Sequence, residues 1–443
     1  MANPFSWLTF GGAIAELSLR LGDEDNVRWT ATECGLYIIE ALRFWNALTA
    51  YWAEPYVIDF EQEAGQNWYP ANGTGSPRQP TLTDTDIYTM IEYHLLEPPS
   101  GGTWTGTDQF SITDLSQACS RRRNEILQAA ACNMVETSLN VAPNTSAVQL
   151  VDTVLDVRRV RWVPAAGLGS PVTLGRGDSR SFQYFTARYP QSTDNPLRWD
   201  VIGSPPQTVT LDTKVNVPSA LQVLGITGAA DFDPPTASPL LMPDDWAWAL
   251  KFGAMADILS KEQEGKDLQR AQYSRQRYEQ GLKLMMHMPW VLQGFINGIP
   301  VAVQSVAGAD RTNYEWQSRA TAFPEIVVGG IDLYAVSPVP NDSLSISLMV
   351  VANAPIPAND DADIQVPRDV MDAILSEAQH LALIKQGGQE FADSIKLHQE
   401  FIGMALKTNS RLEQSGIFAT TIRPPVDRQE QEQPRYGLAA EKG

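Results

Sequence analysis

The sequence predicts an α+β protein, and three observations predict it. Apolar residues recur at helical spacing in stretches such as 5–21, 36–48 and 83–96. Residues 135–228 change to short runs rich in Val, Leu and Thr, punctuated by Pro and Gly. A helix pair opened by a Pro beside an acid occurs twice, from Met242 and from Val366. The expected architecture is a helical body of N-terminal helices plus two repeated antiparallel helix pairs. It carries two β-rich insertion domains and an extended C-terminal tail.

The elements follow in order. Residues 1–53 hold two helices of the body. The first runs over 5–21 and is stopped by Gly22-Asp23-Glu24-Asp25-Asn26. The second starts at Trp29-Thr30-Ala31-Thr32-Glu33, where a Thr cap and an early Glu answer the unpaired amides of a first turn. Tyr37, Phe44, Trp45, Tyr51 and Trp52 make it aromatic on more than one side, as expected of a helix with partners all round. Residues 54–80 read as extended, and 81–134 return to helix. There Phe110-Ser111-Ile112-Thr113-Asp114-Leu115 repeats the aromatic, hydroxyl, apolar, Thr, acid, apolar order of the earlier start. Residues 135–241 form the first β-rich insertion, including an expected run at 182–189. The first helix pair spans 242–289, with Pro243 and two acids at its start. The second β-rich insertion spans 290–363, and the second helix pair 364–413. Lys385 falls where Lys261 falls, and Gly403 where Gly281 falls. From residue 414 apolar periodicity is lost, and Gln429-Glu430-Gln431-Glu432-Gln433-Pro434 reads as an extended or disordered tail.

Composition narrows the function. Lys and Arg total 33 against 52 Asp and Glu, a formal charge of −19. That argues against a protein that coats nucleic acid, which needs clustered cations. No run of ~18 apolar residues predicts a membrane span, and residues 1–10 lack the pattern of a signal peptide. Cys34, Cys119 and Cys132 are an odd, sparse set without CxxC spacing, so neither a disulfide framework nor a zinc site is expected, and folding in a reducing cytoplasm is.

The search for chemistry returns little. There is no GxxxxGK[ST], GxGxxG, HExxH or GxSxG motif, and no cofactor is expected. Four histidines, His94, His287, His380 and His398, form no i, i+4 pair. His380 and His398 fall on successive helices that can bring them together, with a surface or satisfied-core role expected. The basic runs Arg121-Arg122-Arg123 and Arg158-Arg159-Val160-Arg161 read as pairing groups or a protein interface in so acidic a chain. Trp246 and Trp248, at i and i+2, cannot share one helix face, so one is expected in the core and the other at a contact. Glu61 and Glu63, with Trp68 and Tyr69, are the best carboxylate pair for a glycan or cell-wall hydrolase.

Three stretches resemble the head-to-tail adaptor (head-completion, neck) proteins of tailed bacteriophages. They are AELSLRLGDEDNVRWTATECGLYIIEALRFWNALTAYW from Ala15, DLSQACSRRRNEIL with the later LDVRRVRWV, and MPDDWAWALKFGAMADILSKEQEGKDLQRAQYSRQRYEQGL from Met242. The resemblance implies a non-enzymatic virion protein at the neck, assembled in the host cytoplasm. It implies a homo-oligomeric ring of about twelve copies, docked on the portal and joined to tail or nozzle proteins. Genomic DNA would pass through without sequence-specific binding, and a net negative charge suits a lumen that does not grip phosphate. No membrane contact is implied. The contact residues expected on this reading are Arg121, Arg122, Arg123, Trp246, Trp248, Arg423, Pro424, Pro425, Arg435 and Tyr436. The alternative within a virion is a tail-tube, tail-terminator or baseplate-linked ring.

Overall fold

The computed structural model describes residues 7–60, 68–70, 76, 78–95, 110–182, 193–203, 206–233, 237–261, 266–288, 290–312, 325–331, 333–337 and 344–418. Over these residues the chain is mixed α and β. The helices are α1 (Phe10–Leu21), α2 (Ala31–Thr49), α3 (Asp84–His94), α4 (Ile112–Ala130), α5 (Ala247–Leu259), α6 (Leu268–His287), α7 (Val306–Thr312), α8 (Arg368–Ile384), α9 (Gly388–Thr408) and α10 (Ser410–Ser415). The helix expected from residue 5 begins at Phe10. Leu8 and Thr9 are instead a short strand, β1 (Leu8–Thr9), and the Thr9 hydroxyl accepts the Gly12 amide at 3.1 Å to open α1. Thr30 does the same for Glu33 in α2, at 3.2 Å.

The strands fall into three larger sheets. β2 (Ala53–Phe60) and β3 (Tyr69–Pro70) belong to the opening part of the chain. Then come β4 (Met134–Val141), β5 (Ala147–Gln149), β6 (Val154–Pro164), β7 (Val172–Thr173), β8 (Gly175–Arg176), β9 (Arg198–Ile202), β10 (Thr208–Leu211) and β11 (Ser219–Thr227). β12 (Val291–Ile296), β13 (Ile299–Ser305), β14 (Glu325–Gly329), β15 (Leu333–Ser337), β16 (Leu344–Val351) and β17 (Asp363–Ile364) complete the set. Two four-stranded sheets, β5-β10-β9-β8 and β4-β11-β6-β7, enclose a core of Val157, Val160, Trp162, Trp199, Val209 and Leu221. The third sheet orders seven strands as β2-β16-β12-β13-β14-β15-β3. In β16, Ile346, Leu348 and Val350 alternate inward beside Ile326, Tyr334 and Val336. The stretch read as a separate extended piece at 54–80 thus supplies both edges of this sheet. Phe182 follows a short 3₁₀ turn (Ser179–Ser181), and the rest of the run expected over 182–189 lies outside the described residues.

One set of contacts occurs twice in the helical part. α1 and α2 pack on α8, and α2 reaches α9; α3 and α4 pack on α5, and α4 reaches α6. α2 and α4 are each 19 residues long and end on a left-handed alanine, Ala50 (φ 53°) and Ala131 (φ 52°). The first-turn acid of each pairs with a lysine just past α8 or α5: Glu33–Lys385 at 2.9 Å and Asp114–Lys261 at 2.8 Å. Thr9 bridges to Asp363 and Thr83 to Pro239. The next amide donates in each case, Phe10 to Ala362 O and Asp84 to Ser238 O, both at 2.9 Å. Finally, the strand after each long helix, β2 or β4, pairs antiparallel with β16 or β11. These pairings close with Ala352 N–H on Trp52 O (2.8 Å) and Thr227 N–H on Asn133 O (3.2 Å). Lys385 and Lys261, Asp363 and Pro239, and Ala362 and Ser238 are each 124 residues apart.

Candidate functional site

The densest chemistry lies buried between these helices. Arg277 on α6 donates to Glu377 Oε1 on α8 at 3.0 Å and to the Tyr273 hydroxyl at 2.8 Å. Tyr273 donates in turn to His380 Nε2. His380 Nδ1 donates to Ser394 Oγ at 2.8 Å, and Ser394 donates to Phe391 O at 2.7 Å. His398 on α9 meets the second oxygen of Glu377 at 2.8 Å through Nδ1, which therefore carries the proton, because a carboxylate only accepts. Burial opposes ionisation of Glu377, but His398 and Arg277 outweigh it and hold the carboxyl well below the usual range. Burial pushes His380 down to about 3 and lowers His398. Both imidazoles are neutral at pH 7, with rings 5.5 Å apart. A neighbouring knot joins Lys251 of α5 to Glu40 of α2, and Lys251 Nζ donates to His94 Nε2 of α3 at 2.7 Å. These side chains are buried, Tyr273 only in part, and bond to one another across helices, so the arrangement clamps the helices together.

Acids do the same at the joints. Asp244 accepts the Thr81 and Leu82 amides at 2.9 and 3.0 Å. Asp245 accepts Asn46 Nδ2 at 2.5 Å and the Ala354 amide at 3.0 Å, tying α2 to the strand end before α8. Burial raises the Asp245 carboxyl to about 7 against those two bonds. Asp23, in the loop after α1, accepts the amides of Val27, Arg28 and Trp29.

The residues expected at contacts sort differently from expectation. Trp246 and Trp248 are 1 % and 2 % exposed, so both are core. Trp246 ends the 3₁₀ turn Asp244–Trp246 before α5 and packs on Trp290 (5.2 Å), while Trp248 lies on α5, itself enclosed, and packs on Phe44 (4.5 Å). Arg122 grips Asp257 of α5 with two bonds, at 2.9 and 2.7 Å. Arg123 is buried, donates to Ala230 O and lies 4.5 Å above the Phe232 ring. Arg121 alone keeps an exposed side chain, and it too reaches Asp257, at 2.6 Å. Arg121 and Arg122 staple α4 to α5, and Arg123 ties α4 to the segment before α5. Arg158 pairs with Asp156, and Arg159 with Asp310. Arg423, Pro424, Pro425, Arg435 and Tyr436 lie outside the described residues, as do Glu61 and Glu63.

One feature that the sequence reading missed is an open groove between α1 and α2, lined by Phe10, Gly11, Ile14, Gly35, Leu36, Ile39 and Asp360 among others. Gly35 makes the approach possible: a side chain there meets the Phe10 ring at 3.0 Å. The helical spacing of Leu36 and Ile39 was visible in sequence, but their incomplete cover was not.

Among the described residues no group of three or more His, Cys, Asp or Glu is placed to hold a metal ion, and no helix is long and apolar enough to cross a membrane. The three cysteines are buried, and no two of them are joined in a disulfide. The chain matches no protein-family model and no curated protein.

Proposed function

We propose that the chain is a non-enzymatic structural protein of a tailed-phage virion, a ring-forming head-to-tail adaptor. It docks on the portal protein, joins tail or nozzle proteins below, and lines a channel through which genomic DNA passes. Its site of action is the neck of the virion. Its architecture on this reading is a helical body of two copies of one helical unit, with two β-rich insertions and an extended C-terminal tail. The second copy (α3 to α6) is nested within the first (α1, α2, α8, α9).

The observation that carries the reading is the twice-occurring contact set, two rigid helix units welded by buried ion pairs, together with the resemblance of residues 15–52 and 242–282 to the adaptors. The chain's charge of −19 supports a channel wall that repels phosphate. Tagging the chain and imaging purified particles by electron microscopy tests the reading. Label at the portal vertex, between head and tail, is the expected result. Label along the tail favours a tail-tube or terminator ring, and particles without label overturn the virion assignment.

A further inference from the structure

The duplicated helix unit shows what fills the α1–α2 groove. In the second copy the matching cleft, between α3 and α4, is occupied by Phe232. Its ring stands edge-on to Tyr88 at 5.9 Å, its amide donates to Ser120 Oγ at 2.9 Å, and it is 4 % exposed. By the matched caps Thr9/Thr83 and Thr30/Ser111, Tyr88 and Ser120 occupy the positions that Ile14 and Ile39 occupy in the first copy. Ile14 and Ile39 line the open groove and are only half-buried. Thr227 and Ala352 stand 125 residues apart and Ser238 and Ala362 124, so the counterpart of Phe232 is Ile356 or Pro357, and neither lines the groove. The first copy therefore leaves open a cleft that its twin fills with an aromatic side chain, and its own equivalent segment reaches the cleft through Asp360 alone.

We propose that this groove receives residues 435–438 of the chain's own C-terminal segment, with Tyr436 seated as Phe232 is seated in the twin. Chain length permits it. Phe418 is buried, and α10 sits at the far end of α2, where Asn409 Nδ2 donates to Leu48 O at 2.8 Å. From Leu48 back to Gly35 is about 20 Å of helix, and the residues from Phe418 to Tyr436 reach about 60 Å when extended. Charge agrees as well. Asp360 lines the groove and the exposed Asp361 and Asp363 flank it, while Arg435 precedes Tyr436 and Leu438 follows. Aromatic anchors of this kind dominate the energetics of small docking sites. This inference uses only the chain's own duplication and does not depend on the adaptor reading.

Disulfide trapping in the full chain tests it. The native thiols leave the background quiet, since Cys34, Cys119 and Cys132 are buried and burial pushes the Cys34 thiol up to about 11. Thr32→Cys at the exposed rim of the groove is paired with Gly437→Cys. Leu268→Cys, 62 % exposed at the start of α6, is paired with Gly437→Cys as the control. Under mild oxidation the groove pair is expected to close about tenfold faster than the control, as docking raises the effective concentration. Adding Tyr436→Ala, which alters no residue of the helical body, is expected to remove that excess. The product is expected at the mass of a single chain; a cross-linked dimer would seat a neighbouring copy's segment in the groove and overturns the proposal. Equal closure of the two pairs, or an excess that survives Tyr436→Ala, overturns it.

Discussion

Glu377 and Arg277 show how single residues hold the helices together. Each is buried with a charge: Arg277 relies on Glu377 and the Tyr273 hydroxyl, and Glu377 on Arg277 and neutral His398. Removing one partner strands the other in a low dielectric, which costs about 3–5 kcal/mol. Glu377→Ala is therefore expected to lower stability by about that much in urea unfolding, with the double change Arg277→Met, Glu377→Leu recovering most of it. Asp245 gives a pH signature of the opposite kind. Its folded carboxyl is raised to about 7 by burial, so between pH 4 and 7 the folded state binds a proton that the unfolded state has lost. Stability from this group then falls as pH rises through that window. Asp245→Asn is expected to flatten the fall in unfolding midpoint between pH 4 and 7; an unchanged slope contradicts the assignment. None of these pairings was legible in the sequence. Arg277 and Glu377 stand 100 residues apart, and periodicity reports only neighbours three or four positions away.

At the scale of elements the sequence was more informative, because caps and helix pairs are local. The repeated starts at Thr30 and Ser111 and the equivalence of Lys261 with Lys385 were readable, and the structure gives both lysines the same partner type. Ala50 and Ala131 were not recognised, since nothing in an alanine announces a left-handed turn. Replacing either with Gly is expected to raise stability by up to about 1 kcal/mol, measured by thermal unfolding, by relieving the φ > 0 penalty. The apparent match of Gly281 with Gly403 separates on inspection. A Cβ on Gly281 would meet Ala249 Cβ at 2.7 Å and Trp248 at 2.9 Å, whereas one on Gly403 meets nothing within 4 Å. Gly281→Ala is expected to cost about 1–3 kcal/mol by forcing α5 and α6 apart. Gly403→Ala is expected to be neutral or stabilising by up to about 1 kcal/mol. The expectation that one of Trp246 and Trp248 serves a contact met the same limit: Trp246 ends a 3₁₀ turn and Trp248 lies on an enclosed helix, so both are interior, which spacing alone does not reveal.

For the whole molecule, the α+β class was legible, and the nesting of one helix unit within the other was not. The inner copy separates α2 from α8 by more than 300 residues, so the pairing that closes the outer copy, β2 on β16, has no local signature. The most direct test of the adaptor reading is the solution mass of the full chain, alone and mixed with the portal protein encoded in the same genome. The account predicts a chain of 48.8 kDa that joins the portal as a ring, about 586 kDa for twelve copies. A chain that elutes apart from the portal at every ratio contradicts it.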